Sequence, residues 1–516
     1  DRDDEFGSSV AISADGGRIA IGAPYNNGNG TRAGHVEVYK SIDTSPISYQ
    51  QTAKIIANDY DNDDHFGNSV SISGNTAIVG AAYNDIGGTN AGSAYIYTRR
   101  EDNKWLPIGR MTATDRGYLH NFGKSVSIDG DTAVVGAPGN NNGAAYIWTR
   151  NTPGSITSHW TQRAILTASD GAGNDDFGYS VAISGDTVVI GAHGDDDDGS
   201  GSGSAYIFTR DTAGSLTSSW TQRAKLTAGT QGGAFDAFGI TVDISGDTVV
   251  IGAPLDDDDG NDSGSAYVFT RNTAGSLTSG WTKRQKLTGT TLTTSGHQGV
   301  AEGEDKFGYA VSIDGDTLIV GAREYNQAGG YWDMGNAYIY TRNVAGSLTS
   351  SWSNRAILDP STGGAGGAGG DWFGDRVSIK GDIAAIGAPK DDTSTGTDSG
   401  AVYIYTRNTP GSLTSGWSYR TTLTASDGAT YDYFGDAVSV DDNGTVLVGV
   451  PLHDLGGSNR GTAYFFDVAK TWVQVGNDID GEAAYDLFGG STLPGKSICM
   501  SDDGRRVAVG ALFNDG

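Results

Sequence analysis

The dipeptide Phe-Gly recurs nine times in the 516 residues, at 6/7, 66/67, 122/123, 177/178, 238/239, 307/308, 373/374, 434/435 and 488/489. This recurrence constrains the fold more than composition does, because a chain of repeats must bury each supersecondary unit against the next. The intervals are 60, 56, 55, 61, 69, 66, 61 and 54 residues, too long for a solenoid coil and suited to a four-stranded propeller blade.

Each unit carries four strand signals. The first strand alternates small polar and branched apolar residues, as in Ser69-Val70-Ser71-Ile72, and the second is almost continuously apolar, as from Thr248 to Ala253, which predicts a centrally buried strand. The third reads Ala266-Tyr267-Val268-Phe269-Thr270-Arg271. The fourth opens on a Trp and ends on a Leu, as from Trp220 to Leu226, and suits an outer strand with one packed and one wet face. Turns such as Ser245-Gly246-Asp247 make the first two strands a hairpin.

The sequence therefore predicts an all-β fold, a single β-propeller of four-stranded antiparallel blades over residues 1–516. Eight complete units and a ninth that stops after its second strand, near Val507 to Gly516, suit eight blades; seven blades with a trailing partial repeat is the alternative. Because the chain begins and stops inside repeats it reads as an excerpt, and a signal peptide, anchor or further module is expected to fall outside it. Closing the ring removes the edges that a linear array of sheets would expose. The 80 glycines fit a protein built from turns and closely packed sheets, and 37% apolar residues suffice for cores between blades. No uninterrupted apolar span of about 18 residues occurs, so no membrane insertion is expected of this segment.

The run Phe-Gly-x-Ser-Val, then Val-Gly-Ala-Pro, then Ala-Tyr-Ile-Tyr resembles the FG-GAP repeat of integrin α-subunit heads and of many secreted proteins. Gly-Ala-Pro is intact at 22–24, 136–138, 252–254 and 387–389, with variants such as Gly191-Ala192-His193 and Gly449-Val450-Pro451. The resemblance implies a β-propeller, an extracellular setting, and adhesion or ligand binding often assisted by calcium. The family's calcium loop, Asp-x-Asp-x-Asp-Gly between the first two strands, has no counterpart here. That connection is a short turn, as at Asp129-Gly130-Asp131.

The acid stands elsewhere in the unit. Two residues before the Phe, eight of nine repeats carry Asp: Asp4, Asp64, Asp175, Asp236, Asp305, Asp371, Asp432 and Asp486, with His120 the exception. The loop after Gly-Ala-Pro is acidic or Asn-rich too, at Asn26-Asn27, Asn84-Asp85, Asn140-Asn141 and Asp391-Asp392. In two repeats it becomes a tetrad: Asp195, Asp196, Asp197 and Asp198, then Asp256, Asp257, Asp258 and Asp259. Antiparallel pairing of the first two strands places both acidic sets on one rim. Clustered carboxylates offer the hard oxygen ligands that calcium prefers, which makes the tetrads the leading metal candidates, against a merely solvated loop. Asp59, Asp61, Asp63 and Asp64 begin like an EF-hand, but Asp64 stands where Gly is needed and Val70 where the bidentate Glu belongs. The Asp before Phe-Gly reads first as an Asx-type turn that satisfies backbone amides, and second as a calcium ligand.

The net charge of −28, from 62 acidic and 34 basic residues, excludes nucleic acid and anionic membranes as natural partners. Arg recurs at the end of the third strand (Arg150, Arg210, Arg271, Arg342, Arg407) and in the fourth (Arg163, Arg223, Arg284, Arg355, Arg420), near Trp160, Trp220, Trp281, Trp352 and Trp417. A structural stack is expected of these pairs, with a sugar grip as the alternative. No His-Glu-x-x-His, Gly-x-Ser-x-Gly or P-loop occurs, the seven His are scattered, and Cys499 is the only cysteine. Gly364, Gly366 and Gly369 match a dinucleotide fingerprint formally, inside a low-complexity loop with no strand-to-helix context. Long connections before Phe-Gly, at Gly289 to Gly303, Gln231 to Phe235 and Gly363 to Gly370, are expected to meet partners. Asn29, Asn261 and Asn443 head glycosylation sequons.

Three functions remain. The first is a non-enzymatic extracellular adhesion or interaction module, calcium-stabilised, that binds a protein or glycan. The second is a building block that tiles against identical or related chains in a surface layer, matrix or filament. The third is a polysaccharide-acting enzyme with carboxylates at the channel.

Overall fold

The computed structural model describes residues 9–12, 18–24, 32–42, 48–57, 59, 61–100, 104–289, 304–326, 333–360, 369–441, 444–450, 452–453, 462–467, 473–474, 479–480, 499–500 and 507–508. Eight antiparallel sheets follow one another, each ordered first to fourth strand along the chain. Blade 4 is typical, with Ser180–Ser184, Thr187–Ala192, Ser204–Arg210 and Trp220–Leu226. The first strands, Ser9–Ile12, Ser69–Ser73, Ser125–Asp129, Ser180–Ser184, Thr241–Ser245, Phe307–Asp314, Arg376–Lys380 and Ala437–Val440, open blades 1 to 8. From blade 1 to blade 8 they lie beside one another and line the axis. The count is eight rather than seven. A short hairpin of the ninth unit, Cys499–Met500 with Val507–Ala508, sits where the ring meets itself, against the first strands of blades 8, 1 and 2. A single 3-10 turn, Gly229–Gln231, lies between the fourth strand of blade 4 and the Phe-Gly of blade 5.

The cores lie between blades. Ile207 and Val189 of blade 4, for example, pack with Phe238, Val249, Ile251 and Tyr267 of blade 5. Every neighbouring pair from blades 1 and 2 to blades 7 and 8 shares such a cluster. The second strands are buried on both faces, as their apolar runs predict.

The Phe-Gly pair is the fastening between blades. Phe238 is fully buried, packs edge-on against Phe269 and near Tyr267 of its own blade, and donates its backbone N–H to Ser202 O of the preceding blade. The glycine that follows adopts φ of +93°, and a Cβ there would stand 2.3 Å from Ser204 O. The glycine of Gly-Ala-Pro meets the same joint from the other side, since a Cβ on Gly136 would lie 2.0 Å from Gly178 O of the next blade. Both halves of the motif thus answer one steric demand, close approach of two blade backbones.

At the opposite end, the first two strands turn on Gly246-Asp247, with Gly246 at φ +55° in the first central position, as a type II′ turn requires. The fourth strand carries a bulge in blades 3 to 7, and the extra residue is always its Arg: Arg163, Arg223, Arg284, Arg355 or Arg420. The bulge re-aims that side chain, so that Arg223 Nε donates to Thr209 Oγ1 at 2.8 Å.

Candidate functional site

The two faces of the ring differ in kind. On the turn face of blades 3 to 7 the same bonds repeat. Arg210 is 2% exposed and donates to Asp186 at 2.6 Å, to Ser215 O at 2.8 Å and to Thr132 Oγ1 of the preceding blade at 2.7 Å. Its guanidinium lies 4.7 Å from the centroid of the Trp220 ring. Arg150, Arg271, Arg342 and Arg407 do the same. The Arg and Trp pairs are therefore structural, and the sugar grip is set aside because each guanidinium is committed and covers its ring. The uniform loops between third and fourth strands complete the lock, as where Thr209 Oγ1 donates to Leu277 O of the next blade at 2.6 Å.

The other face holds both acidic sets, joined where Gly194 N–H donates to Asp175 O at 3.1 Å. Asp195 is 2% exposed and accepts from Tyr206 Oη at 2.8 Å, Ser204 Oγ at 3.1 Å and the Asp197 N–H at 3.2 Å. The Lys225 ammonium bridges it, at 3.0 Å, to Asp170 and Asp197. Asp196 accepts from the Gly201 N–H, and Asp198 is exposed. The second tetrad repeats the plan: Asp256 accepts from Tyr267 Oη at 2.6 Å, and Lys286 bridges Asp256 and Asp258 at 2.8 and 2.5 Å. Asp257 accepts from the Asp262 N–H, and Asp259 is exposed.

In both tetrads an ammonium of the chain's own fourth strand fills the position a cation would take. Calcium does not fit there while the lysine is present. Among the described residues no group of three or more His, Cys, Asp or Glu is arranged to hold a metal ion.

The Asp before Phe-Gly satisfies a backbone amide, but one that precedes it in the chain rather than the amide two residues on that defines an Asx-type turn. Asp64, Asp175, Asp236 and Asp432 each accept the N–H of the residue three positions earlier, at 2.7, 2.6, 2.6 and 2.6 Å. Burial pushes Asp64 and Asp236 up to about 6 and also raises Asp175. Asp305 and Asp371 are buried, with their carbonyls bonded to the Glu324 and Lys390 N–H groups. Asp59 pairs with Arg110, Asp61 accepts from the Asn62 N–H, and Asp63 lies 3.5 Å from Arg32. A pocket of about 480 Å³ opens above the Asp59 and Arg110 pair, beside Tyr95 and Tyr97. Asp4, Asp486, Asn26, Asn27, Asn29, Asn443 and most of the long connections at 289–303 and 363–370 lie outside the described residues.

The axial mouth of this face carries what the sequence reading missed. In blades 2 to 8 the residue before the Phe is left-handed whatever its identity: φ is 52° at His65, 56° at Asp176, 54° at Lys306 and 57° at Trp372. That conformation is uncommon for side chains of this size, and such strain gathers at functional sites. From these positions, and from those just after Phe-Gly and Gly-Ala, unlike residues meet. His65 lies 4.5 Å from the Tyr83 ring and His193 4.4 Å from Tyr179. His193 Nε2 is 3.6 Å from Asp176. Arg323 sits 3.9 Å from the Tyr309 centroid and 4.5 Å from that of Trp372, and bonds Asp375 at 3.0 Å. Arg376 holds Asp375 at 2.6 Å and faces Asp436 at 3.8 Å. Lys390 stands 3.3 Å over Trp372.

Burial, with the charges of Tyr309, Asp176 and Tyr83 adding to it, raises the Tyr179 phenol. Burial against Asp375 pushes Tyr309 up to about 12, and burial beside Arg32 and Lys124 pushes His65 down to about 3. Scattered in sequence, these residues form a His65–Tyr83 pair, a Tyr179–His193–Asp176 group and a cluster around Arg323 and Trp372 that no single repeat displays. The signal lay in comparing repeats: positions next to Phe-Gly vary while the fastening does not.

No curated protein matches the chain. Among solved structures, Sqt1 from Chaetomium thermophilum is similar at 10% identity and a TM-score of 0.49, with 90% of this chain and 94% of that one covered, a likeness too distant to carry any argument. No helix among the described residues is long and apolar enough to cross a membrane. The profile of the FG-GAP repeat matches residues 1–39, 49–97, 105–148, 160–208, 220–269, 298–340, 352–405 and 417–466, each match covering the first three strands of one blade and most beginning on the fourth strand of the blade before. The chain belongs to the FG-GAP repeat family.

Proposed function

We propose that this propeller is a non-enzymatic extracellular or cell-surface interaction module that engages a protein or glycan on its Phe-Gly face. One observation carries the reading: residues repeated from blade 3 to blade 7 lock one face, whereas residues that differ between repeats gather on the other, with His65, Tyr83, Tyr179 and His193 half-buried and Tyr309, Arg323, Asp375 and Arg376 buried. The loops entering Phe-Gly add exposed apolar side chains, with Tyr118 68%, Phe235 67% and Tyr431 54% exposed. Leu119, Phe235 and Tyr431 share one repeat position, three before the Phe, and hold φ of 59°, 70° and 69°. A bulky, exposed residue in left-handed backbone is costly and gains nothing from packing, which supports a role in contact. The extracellular setting rests on the family, and no step runs through calcium.

The enzyme reading is weaker at the same site. Arg323 and Arg376 are committed to carboxylates, and the 3.6 Å between His193 and Asp176 is too long for a hydrogen bond that orients a base. The test is a screen of the full chain against matrix proteins and glycans, repeated with Phe235→Ser and Tyr431→Ser and with Val344→Ser on the turn face. Loss of the captured ligand in the first two variants alone is the expected result. Equal loss in all three, or in Val344→Ser only, sinks the assignment of the face.

A further inference from the structure

The joint between blades 1 and 2 is left open where others are bridged. In blades 3, 4 and 5 the third residue of the outer strand reaches back to the connection that leaves the preceding blade. Gln162 exchanges two hydrogen bonds with Thr114, at 3.2 and 2.9 Å, and Gln222 does so with Ser169, at 3.1 Å each. Lys283 donates to Ala228 O at 2.7 Å. Blade 2 has Pro107 at that position of its outer strand, Trp105–Met111, and a pyrrolidine ring has no polar group with which to span the gap. The pocket of about 480 Å³ opens there, with Asp59, Tyr95, Tyr97, Pro107, Ile108 and Arg110 in its wall.

Blade 2 also departs from the rest in how it treats its tyrosine hydroxyl. In blades 3, 4 and 8 the third-strand tyrosine donates to the Asp that stands seven residues before the Phe: Tyr146 to Asp115 at 2.8 Å, Tyr206 to Asp170 at 3.0 Å and Tyr464 to Asp427 at 2.7 Å. The blade 2 counterparts are Tyr95 and Asp59, but here Arg110 takes Asp59 as an ion-pair partner. Tyr95 is 4% exposed, and its hydroxyl, although near Asp59, is left without a well-formed hydrogen bond. A buried hydroxyl left unmet is costly, and a hydroxyl entering the pocket would meet it.

The wall is of two kinds. Tyr97, held by the 3.1 Å bond from its hydroxyl to Ile56 O, joins Pro107 and Ile108 as apolar surface. The Asp59 and Arg110 pair, about one-third exposed, sets an acceptor beside planar donors. Each hydroxyl of a sugar both donates and accepts, so adjacent ring hydroxyls match that pair while the C–H face of the ring lies on the aromatic surface. A carboxylate would find Arg110 already neutralised in a chain of net charge −28, and a cation would find Asp59 neutralised likewise. The volume lies within the range of small-molecule sites.

We propose that the pocket between blades 1 and 2 binds an uncharged sugar ring of a glycan, with adjacent hydroxyls held by Asp59 and Arg110 and a further one by Tyr95. This rests on the interaction-module reading, narrows its ligand, and adds a site on the outer strand rather than at the axial mouth. The test is calorimetric titration of the full chain with maltose, cellobiose and lactose, with digalacturonate, and with an uncharged tetrapeptide of Gly, Ser and Tyr. At least one neutral disaccharide is expected to bind, with an affinity that salt does not change. Pro107→Gln, which installs the residue that closes the joint in blades 3 and 4, and Tyr95→Phe are each expected to weaken it about tenfold. Tyr95→Phe is further expected to melt no lower than the parent, since it removes an unmet hydroxyl.

Undiminished binding by either variant overturns the site, and so does a lowered melting point of Tyr95→Phe, which would make the hydroxyl structural. If Pro107→Gln fails to fold, Tyr95→Phe decides alone. Tighter binding of digalacturonate, or preference for the peptide, overturns the ligand class. Absence of binding to all three disaccharides overturns the proposal. In each case the module reading stands if Phe235→Ser or Tyr431→Ser abolishes capture of whatever ligand the screen finds, and absence of any captured ligand in the screen defeats that reading separately.

Discussion

At Gly123 a single added methyl would stand 2.4 Å from Ser93 O, in backbone already at φ +95°. Gly123→Ala is therefore expected to destabilise the protein by about 3 kcal/mol, from left-handed strain and a clash that neither blade can relieve. Gly130→Ala is the control: φ is +55° but nothing lies within 4 Å, so only the backbone term of about 1 kcal/mol applies. Thermal midpoints of the two variants check the ranking, and equal shifts would refute the steric account of Phe-Gly. Arg210→Met is expected to cost about 3 kcal/mol, because it strips a buried guanidinium from Asp186, Ser215 O and Thr132 at once. Phe-Gly was legible in the sequence because sterics permit few alternatives at that joint. The role of the arginine was legible only as far as its Trp, since its threonine acceptor stands 78 residues earlier, in the preceding blade.

Blades differ in how they balance the carboxylates at their tops. Lys225 neutralises Asp195, Asp170 and Asp197 in blade 4, while blade 7 has Asp391 bonded to Tyr403 and Thr422 at the equivalent lysine position. Lys225→Met should cost about 3 kcal/mol at neutral pH by leaving Asp195 charged and buried. Millimolar calcium should then restore part of that loss, read as a raised midpoint, while the parent protein shows no shift with calcium or chelator at this blade. A parent midpoint that rises with calcium would contradict the misfit described at the tetrads. The four-strand unit was legible from its alternating and continuous apolar runs. The lysine counter-ions were not, because the link from the fourth strand back to the loop after Gly-Ala-Pro depends on which face of an outer strand curls over the blade top. The bulge that re-aims Arg223 was equally hidden, since one extra residue leaves no mark in a short polar strand.

The ring as a whole carries −28 charges, and two of its buried carboxylates, Asp64 and Asp236, are pushed up to about 6. A raised acid binds its proton more tightly folded than unfolded, so stability is gained as pH falls from about 6 towards 4 and lost again as it rises. The midpoint should thus climb between pH 7 and 5, and Asp64→Asn with Asp236→Asn should flatten that climb; an unchanged slope would assign it to general charge repulsion instead. Eight blades were legible because eight complete units precede the partial one. The axial mouth was not, because its residues come from three positions in several repeats and meet only once the ring exists. The Phe-Gly joint has a further consequence in time. Each blade presents carbonyls such as Ser202 O that are answered only by the Phe-Gly of the blade that follows. A nascent chain leaving the ribosome must then fold with a lag of one blade, its newest sheet held open until its successor emerges, so that synthesis itself sets the order in which the ring is sealed.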